Sequence, residues 1–393
     1  MGDNKVIVGA IEDARKAGKQ IALATVVRVT GSAYRREGAK MLVDEHKNTL
    51  GEISGGCLEE DVAEVAKKVM EDGCPVLKRY DMDEELVWGL GLGCPGIVEV
   101  YIEPVTFSGM TETDQVSDEK MNKGTGSKQK RFSSPLEAWI TCLKREQMGV
   151  LSTILKAPPE LGLSLGSRLF IPEHGDPIGS LGHDELNRKV LELAGEKIKS
   201  LHPKSETCSC HLSTGETIDI FLDVNVPPAE IIIFGAGHDA IPLSSFSIQL
   251  GFKTTVVDPR PAYATHERFP GANIILADSG SLQERVNISS RTYVVIMNHH
   301  LERDRACLSF ALNSTAPYIG VLGPNSRCMR LMEVSQKEDI DRFVRLYNPI
   351  GLDIGAESSE EVAISILAEI LAVRNNRSGG FLRGRLKVHG VAN

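Results

Sequence analysis

The chain is poor in aromatic residues, at 5% with only two tryptophans, so its cores must be built from aliphatic side chains. It has no run near the roughly 18 consecutive apolar residues that a membrane-spanning helix needs, which argues against a membrane protein. Its first residues, MGDNKVIVGAIEDARKAGK, lack the apolar stretch of a secretory signal, and a cytoplasmic location is expected. Positive charge is scarce as well. The formal net charge of −9 leaves no footprint for nucleic acid, and the few clustered cations (Arg377, Arg383, Arg385, Lys387) read as a solvated tail. No CxxC pair occurs among the eight cysteines, which in the cytoplasm are expected as thiols. Cys208-Ser-Cys210 with His211 is the nearest thing to a metal-ligating cluster, and a site-free loop is the competing reading.

What is present is a chain of 393 residues, 41% hydrophobic and 25% charged, long enough for several globular domains. Residues 4–18 carry apolar positions at helical spacing, IALATVVRV (21–29) reads as a strand, and Leu58–Met70 as an amphipathic helix. Residues 106–134 hold too few large apolar groups to offset the entropy of ordering and are expected to be a flexible linker.

Beyond that linker the chain repeats itself. At a constant offset of 128, residues 22–66 align without gaps to 150–194 with ten identities, among them Gly38/Gly166, Leu58/Leu186, Val62/Val190 and Ala66/Ala194. Roughly three identities would arise by chance at ordinary residue usage. VEVYIE (98–103) matches IDIFLD (218–223) at offset 120. The expected organisation is therefore a first α+β copy (1–105), the linker, a degenerate second copy (135–227), a Rossmann-like domain (228–375) and a tail (376–393).

Candidate chemistry sits where the copies differ. Only the first carries Gly55-Gly56-Cys57 between a strand and a helix, and only the first carries Gly93-Cys94. Glycines let backbone N–H groups approach a ligand, and a helix N-terminus favours anions and thiolates. Cys57 is thus a candidate nucleophile or soft-metal ligand, with Cys94 as a second thiol; a small buried cysteine among turn-forming glycines is the competing reading. Two such loops facing one another would form an anion pocket.

The back third opens with a strand, EIIIF (230–234), then Gly235-Ala-Gly237-His238, a helix, and a second strand ending at Asp258. That layout is a dinucleotide-binding fingerprint, the acid expected either on a ribose hydroxyl or capping a turn before Pro259. Further strands alternating with helices imply a parallel sheet, so the fold class is α/β with a C-terminal Rossmann-like sheet. His299 follows the fourth strand at the ligand-binding edge. NAD(P) or another nucleotide is the expected ligand, and an NAD(P)-dependent oxidoreductase is one functional reading, although His238 and His299 lie in no recognisable catalytic motif.

Taken together, Gly38-Ala-Lys40-Met41, Ser54-Gly-Gly-Cys-Leu-Glu59, Leu92-Gly-Cys94, FGAGH (234–238), VVDPR (256–260), ERFP (267–270), YIGVLGP (318–324) and IGLDIGAESSEEVAISILAEI (350–370) resemble the XdhC/CoxI family of molybdenum hydroxylase accessory factors. The resemblance implies a chaperone rather than an enzyme. Such a protein would bind molybdenum cofactor (molybdopterin), assist its sulfuration with a cysteine desulfurase, and insert it into a xanthine dehydrogenase-like apoenzyme. It places Gly55, Gly56, Cys57, Gly93, Cys94, Gly235, Gly237, His238, Asp258 and His299 around the cofactor. Cys57 would have the chemical role, and Cys57 and Cys94 would be molybdenum or sulfur contacts. A homodimer is the expected assembly. The chain departs from the family pattern at Pro95 and at Asn298-His299-His300.

Overall fold

A computed structural model of the chain describes residues 2–31, 33–82, 96–105, 134–200, 202–332 and 344–383. They fall into two compact units, Met1–Pro227 and Pro228–Asn393. The linker expected at 106–134 lies outside the described residues except for Ser134, which caps a helix.

The first unit holds two antiparallel sheets built on one plan. In the first, helix α1 (Gly2–Ala17) precedes β1 (Ile21–Gly31), β2 (Lys40–Asp44), β3 (Thr49–Gly51), α2 (Glu59–Asp72), β4 (Val76–Met82) and β5 (Gly96–Pro104), with strand order β3-β2-β1-β5-β4. In the second, α3 (Pro135–Lys144) precedes β6 (Gly149–Lys156), β7 (Arg168–Pro172), β8 (Ile178–Gly179), α4 (Asp184–Lys199), β9 (Glu206–His211) and β10 (Thr217–Asn225), in the order β8-β7-β6-β10-β9. Register obeys the sequence offset too. Thr25 lies opposite Lys40 as Thr153 lies opposite Arg168, and Leu23 faces Glu103 as Leu151 faces Asp223. Each sheet buries one face against its own helix through the repeated positions: Val62 and Ala66 on α2, Leu186, Val190 and Ala194 on α4, all fully buried.

The other faces meet each other. Val27 and Tyr101 from one sheet pack on Leu155 and Phe221 from the other, equivalent positions of the two copies. Flanking this apolar patch are two buried ion pairs, and each joins the base of one copy to the acid of the other. Lys40 lies 2.9 Å from Asp223, and Arg168 bonds Glu103. Lys40 also stands 5.0 Å from the centroid of the Trp139 ring. Close approach at this interface demands glycine at both repeated positions. A Cβ on Gly166, at φ +84, would sit 2.5 Å from the Tyr101 hydroxyl, and one on Gly38, at φ +92, 2.9 Å from Ser205 Oγ.

The second unit is a six-stranded parallel sheet in the order β13-β12-β11-β14-β15-β16. Its strands are β11 (Glu230–Phe234), β12 (Lys253–Val257), β13 (Asn273–Ile275), β14 (Thr292–Ile296), β15 (Tyr318–Val321) and the short β16 (Leu346–Tyr347). The chain leaves β11 toward one edge and returns at β14 to build the other, which is the doubly wound Rossmann arrangement. Helices α5 (Ala240–Gln249) and α9 (Ser359–Arg374) cover one face through Leu243, Ile366 and Ile370. The other face receives α6 (Leu282–Arg285), α7 (Leu301–Leu312) and α8 (Asn325–Met332), with Leu308, Ala311 and Leu331 innermost. Because both faces are covered, the strands are continuous apolar runs rather than alternating ones.

The buried crossed pairs yield a stability prediction. Lys40→Met leaves Asp223 charged and without its partner in the interior, and the first unit should lose about 3–5 kcal/mol. The double variant Lys40→Met/Asp223→Leu should recover most of that loss, since an apolar pair of similar volume needs no desolvation of charge. Urea unfolding followed by circular dichroism checks both; a double variant no more stable than the single one would show that the pair does not carry this energy.

Candidate functional site

The first candidate is the turn between β3 and α2. Ile53, 1% exposed, anchors it to the core. The chain then passes through Gly55 (φ +100) and Gly56 (φ +107), which only glycine adopts easily, and reaches Cys57 just before the helix. The helix N-cap position is Leu58, which has no capping side chain. Glu59 supplies the cap by folding back over the turn. Its carboxylate accepts from the backbone N–H groups of Ile53 (3.1 Å), Ser54 (2.8 Å), Gly55 (3.2 Å), Gly56 (2.9 Å) and Leu58 (3.1 Å), and from the Ser54 hydroxyl. Ser54 Oγ in turn accepts from Cys57 N at 3.0 Å. Burial pushes the Glu59 carboxyl up, but these donors outweigh it and hold its pKa at about 2.

This arrangement corrects one expectation. The amides of Gly55 and Gly56 do not point at an external anion; the anion they bind is Glu59 of the same chain. What remains available is the Cys57 thiol, which is free and exposed at the tip of this rigid turn. Tyr34 leans on the turn so closely that a Cβ at Gly55 would come within 2.9 Å of its ring, and Arg35 beside it pairs with Glu52 at 3.0 Å. The second copy keeps the framework without the chemistry. Asn187, the counterpart of Glu59, accepts from Leu181 N at 2.9 Å, and His183 caps α4 where the first copy has its glycine–cysteine turn. Gly93 and Cys94 lie outside the described residues. Cys208 and Cys210 occupy strand β9 rather than a loop, both on the side of the core that holds Leu212, Ile218 and Ile220. Strand alternation sends His211 to the opposite side, where it bonds Thr217, so the three do not converge on a metal.

The second candidate is the glycine turn of the Rossmann unit. Gly235 (φ +116) passes so close to β14 that a Cβ would lie 2.5 Å from the Met297 carbonyl oxygen. Gly237 follows, and His238 is exposed beside it. His299, itself at φ +57, reaches back to bond Asp239 at 2.7 Å, so Gly235, Gly237, His238 and His299 do share one neighbourhood. Asp258 is also here, in the structural rather than the ribose-binding of its two expected roles. It is fully buried, and both carboxylate oxygens are engaged: Oδ2 by Ala236 N at 2.8 Å and Arg260 Nη2 at 2.7 Å, Oδ1 by Arg260 N at 2.9 Å and Nε at 2.8 Å. Burial raises its pKa, the bonds to Arg260 and Ala236 lower it, and the net shift is downward. Asp258 therefore ties the glycine turn to its neighbouring strand and has little capacity left for a ribose. Arg268 completes the brace, donating to the Ala236 carbonyl at 2.9 Å and stacking with Arg260 around Tyr263. Arg260, Arg268 and Asp239 are the residues the sequence reading missed. The first two stood inside the VVDPR and ERFP stretches, whose arginines match no general nucleotide-binding rule.

Two outcomes test these roles. The Glu59 pKa lies lower in the folded chain than its ordinary value of 4.5, so its contribution is full above that value and is lost as pH falls toward about 2. The melting temperature of Glu59→Gln should accordingly fall less than that of the unaltered chain between pH 5 and pH 3; parallel falls would disprove the cap. Arg260→Leu strands a buried carboxylate and should destabilise the second unit by about 3–5 kcal/mol, read by urea unfolding.

Sequence comparison places these features in a known context. Residues 231–370 match the XdhC Rossmann domain and residues 14–81 match the XdhC and CoxI family. The chain is 30% identical over 378 residues to a probable xanthine dehydrogenase subunit of Bacillus subtilis (strain 168), covering 95% of this chain and 98% of that protein. It is 22% identical over 386 residues to the molybdenum cofactor insertion chaperone PaoD of Escherichia coli (strain K12), covering 95% and 89%. A crystal structure from Bacillus halodurans, described as a xanthine dehydrogenase, is similar with a TM-score of 0.67 and 29% identity over 94% of this chain and 96% of that one. With matches to both the front of the chain and its Rossmann unit, and a relative of this identity along nearly its whole length, the chain belongs to the XdhC and CoxI family.

Proposed function

We propose that this protein is a carrier for molybdenum cofactor that serves a xanthine dehydrogenase-like apoenzyme. The observation that carries the reading is the Cys57 thiol, exposed on a turn that Glu59 and Ser54 hold rigid. A soft sulfur donor suits molybdenum and sulfur chemistry, and a rigid exposed mount suits a ligand that must be taken up and handed on. The names of the relatives, an insertion chaperone and a xanthine dehydrogenase subunit, point to the same cargo and client.

The two glycine turns, each within its own unit, suit different chemistry. The Gly55–Gly56 amides are committed to Glu59 and are unsuited to a phosphate. In the Rossmann unit, the N–H groups of Gly237, His238 and Asp239 have no acceptor among the described residues, and they precede a ten-residue helix whose N-terminus favours an anion. The cofactor's phosphate would meet these N–H groups beside the Asp239 carboxylate, which caps the helix through Ala240 N, with His238 and His299 next to it. Cys57 would hold or receive sulfur, which gives a cysteine desulfurase a role as sulfur donor.

The test is molybdenum retention. The chain produced in a host that makes the cofactor should co-purify with molybdenum, measured by inductively coupled plasma mass spectrometry. Cys57→Ala should lower that content severalfold while leaving the melting temperature unchanged. Equal retention would remove Cys57 from the site, and a chain without molybdenum in either form would defeat the carrier reading.

A further inference from the structure

The Rossmann unit contains a cavity of about 110 Å³ at the carboxyl ends of β11, β12 and β14. On the same measure one water needs roughly 10–15 Å³, so the space takes a group the size of an aromatic ring rather than a single solvent molecule. It opens at the point where the strand order reverses, which is where open α/β sheets receive ligands. Phe234, Val257 and Ala277 form apolar walls. Its polar lining includes the side chains of Asp278, Asn298 and Arg303.

These three have unused capacity. Arg303 has no hydrogen-bond or ion-pair partner among the described residues, and it lies one helical turn before Cys307 on the same face of α7. Asn298 is only 9% exposed. Its Nδ2 donates to Asp304 Oδ1 at 3.0 Å and to Cys307 Sγ at 3.7 Å. Since a carboxylate only accepts, this contact fixes the amide orientation and leaves Asn298 Oδ1 as an acceptor with no donor among the described residues. Asp278, which is exposed, uses Oδ1 to accept from Gly280 N and from Ser281, and no donor among the described residues reaches its Oδ2. Both acceptors are open to solvent, so a ligand that enters the cavity can supply their donors in exchange for water.

We infer that this cavity binds the amino-substituted heteroaromatic ring of a pterin or nucleotide. The ring lies between Phe234 and Val257, Asn298 Oδ1 and Asp278 accept from its amino group, and Arg303 donates to the ring nitrogen or carbonyl beside that group. Asp258, locked to Arg260, takes no part, so recognition rests on the ring edge rather than on a ribose. The inference deepens the carrier reading by assigning one end of the cargo to this cavity, and it rests on that reading only for the identity of the natural ligand.

Calorimetric titration of the full chain, produced in a host unable to make the pterin, decides it. The probes are 6-hydroxymethylpterin, adenosine monophosphate, cytidine monophosphate and, as a ring lacking the amino group, uridine monophosphate. At least one amino-substituted probe should bind, uridine monophosphate about tenfold more weakly than cytidine monophosphate or not at all, and Arg303→Gln should weaken binding about tenfold with an unchanged melting temperature. Ala277→Phe, which fills the cavity, should abolish binding. Should that variant fail to fold, Arg303→Gln carries the decision, because its side chain has no partner to lose. Absence of binding by every amino-substituted probe, measurable and equal binding of the uridine and cytidine nucleotides, or full affinity in Arg303→Gln would each overturn the assignment. Pterin-to-nucleotide preference identifies the source of the ring. Molybdenum retention separates this test from the carrier reading. Retained molybdenum without ring binding refutes the cavity assignment alone, and ring binding without retained molybdenum refutes the carrier alone.

Discussion

The first unit depends on charge buried between two copies of one fold. Lys40 reaches Asp223 and Arg168 reaches Glu103, so neither copy neutralises its own interior charges. Burying four ionised groups is expensive unless each meets its counterpart in good geometry. This balance makes the second copy indispensable even though it lacks the glycine–cysteine turn. Removing it would expose the apolar faces of Val27 and Tyr101 to water and leave Lys40 and Glu103 without the partners they meet at the interface. A copy can thus lose its chemistry and persist as half of an interface.

That division of labour frees the first copy to carry an exposed thiol. The turn around Cys57 owes its shape to a local carboxylate rather than to a ligand. Glu59 gathers five backbone N–H groups and the Ser54 hydroxyl, a concentration of donors strong enough to overcome the burial of its charge. The turn is therefore formed before any cargo arrives, and the entropy of ordering it is not subtracted from binding. In the second unit Asp258 does the same for the Gly235 turn, bridging it to Arg260. Both glycine turns are held by an internal acid, and in each the reactive or unpartnered groups stand beside that acid rather than on it.

Much of the architecture was legible from residues alone. The offset of 128 between the copies anticipated identical strand order and register, because a side chain that faces the core in one copy must do so in the other. The Rossmann sheet was visible in EIIIF, TTVV and YVVI, apolar runs that only a sheet covered on both sides can bury. Less was visible at the edges. Helix α3 was not read from its own sequence, although its N-cap Ser134 and Pro135 are ordinary start signals. Strand β9 is not visible in the sequence, since ETCSCH alternates too briefly to show a period.

Periodicity, glycine spacing and internal repetition are local or translational properties of a chain, and they determined the fold class, the duplication and the positions of both turns. The partner of each polar group is not local. Whether the Gly55 and Gly56 amides meet a ligand or Glu59, whether Asp258 meets a ribose or Arg260, and whether Lys40 pairs within its copy or across to Asp223 depend on which donor and acceptor the packed chain brings within about 3 Å. Only the tertiary structure decided those, because hydrogen bonds and ion pairs are selected by distance and desolvation, neither of which is encoded in residue spacing.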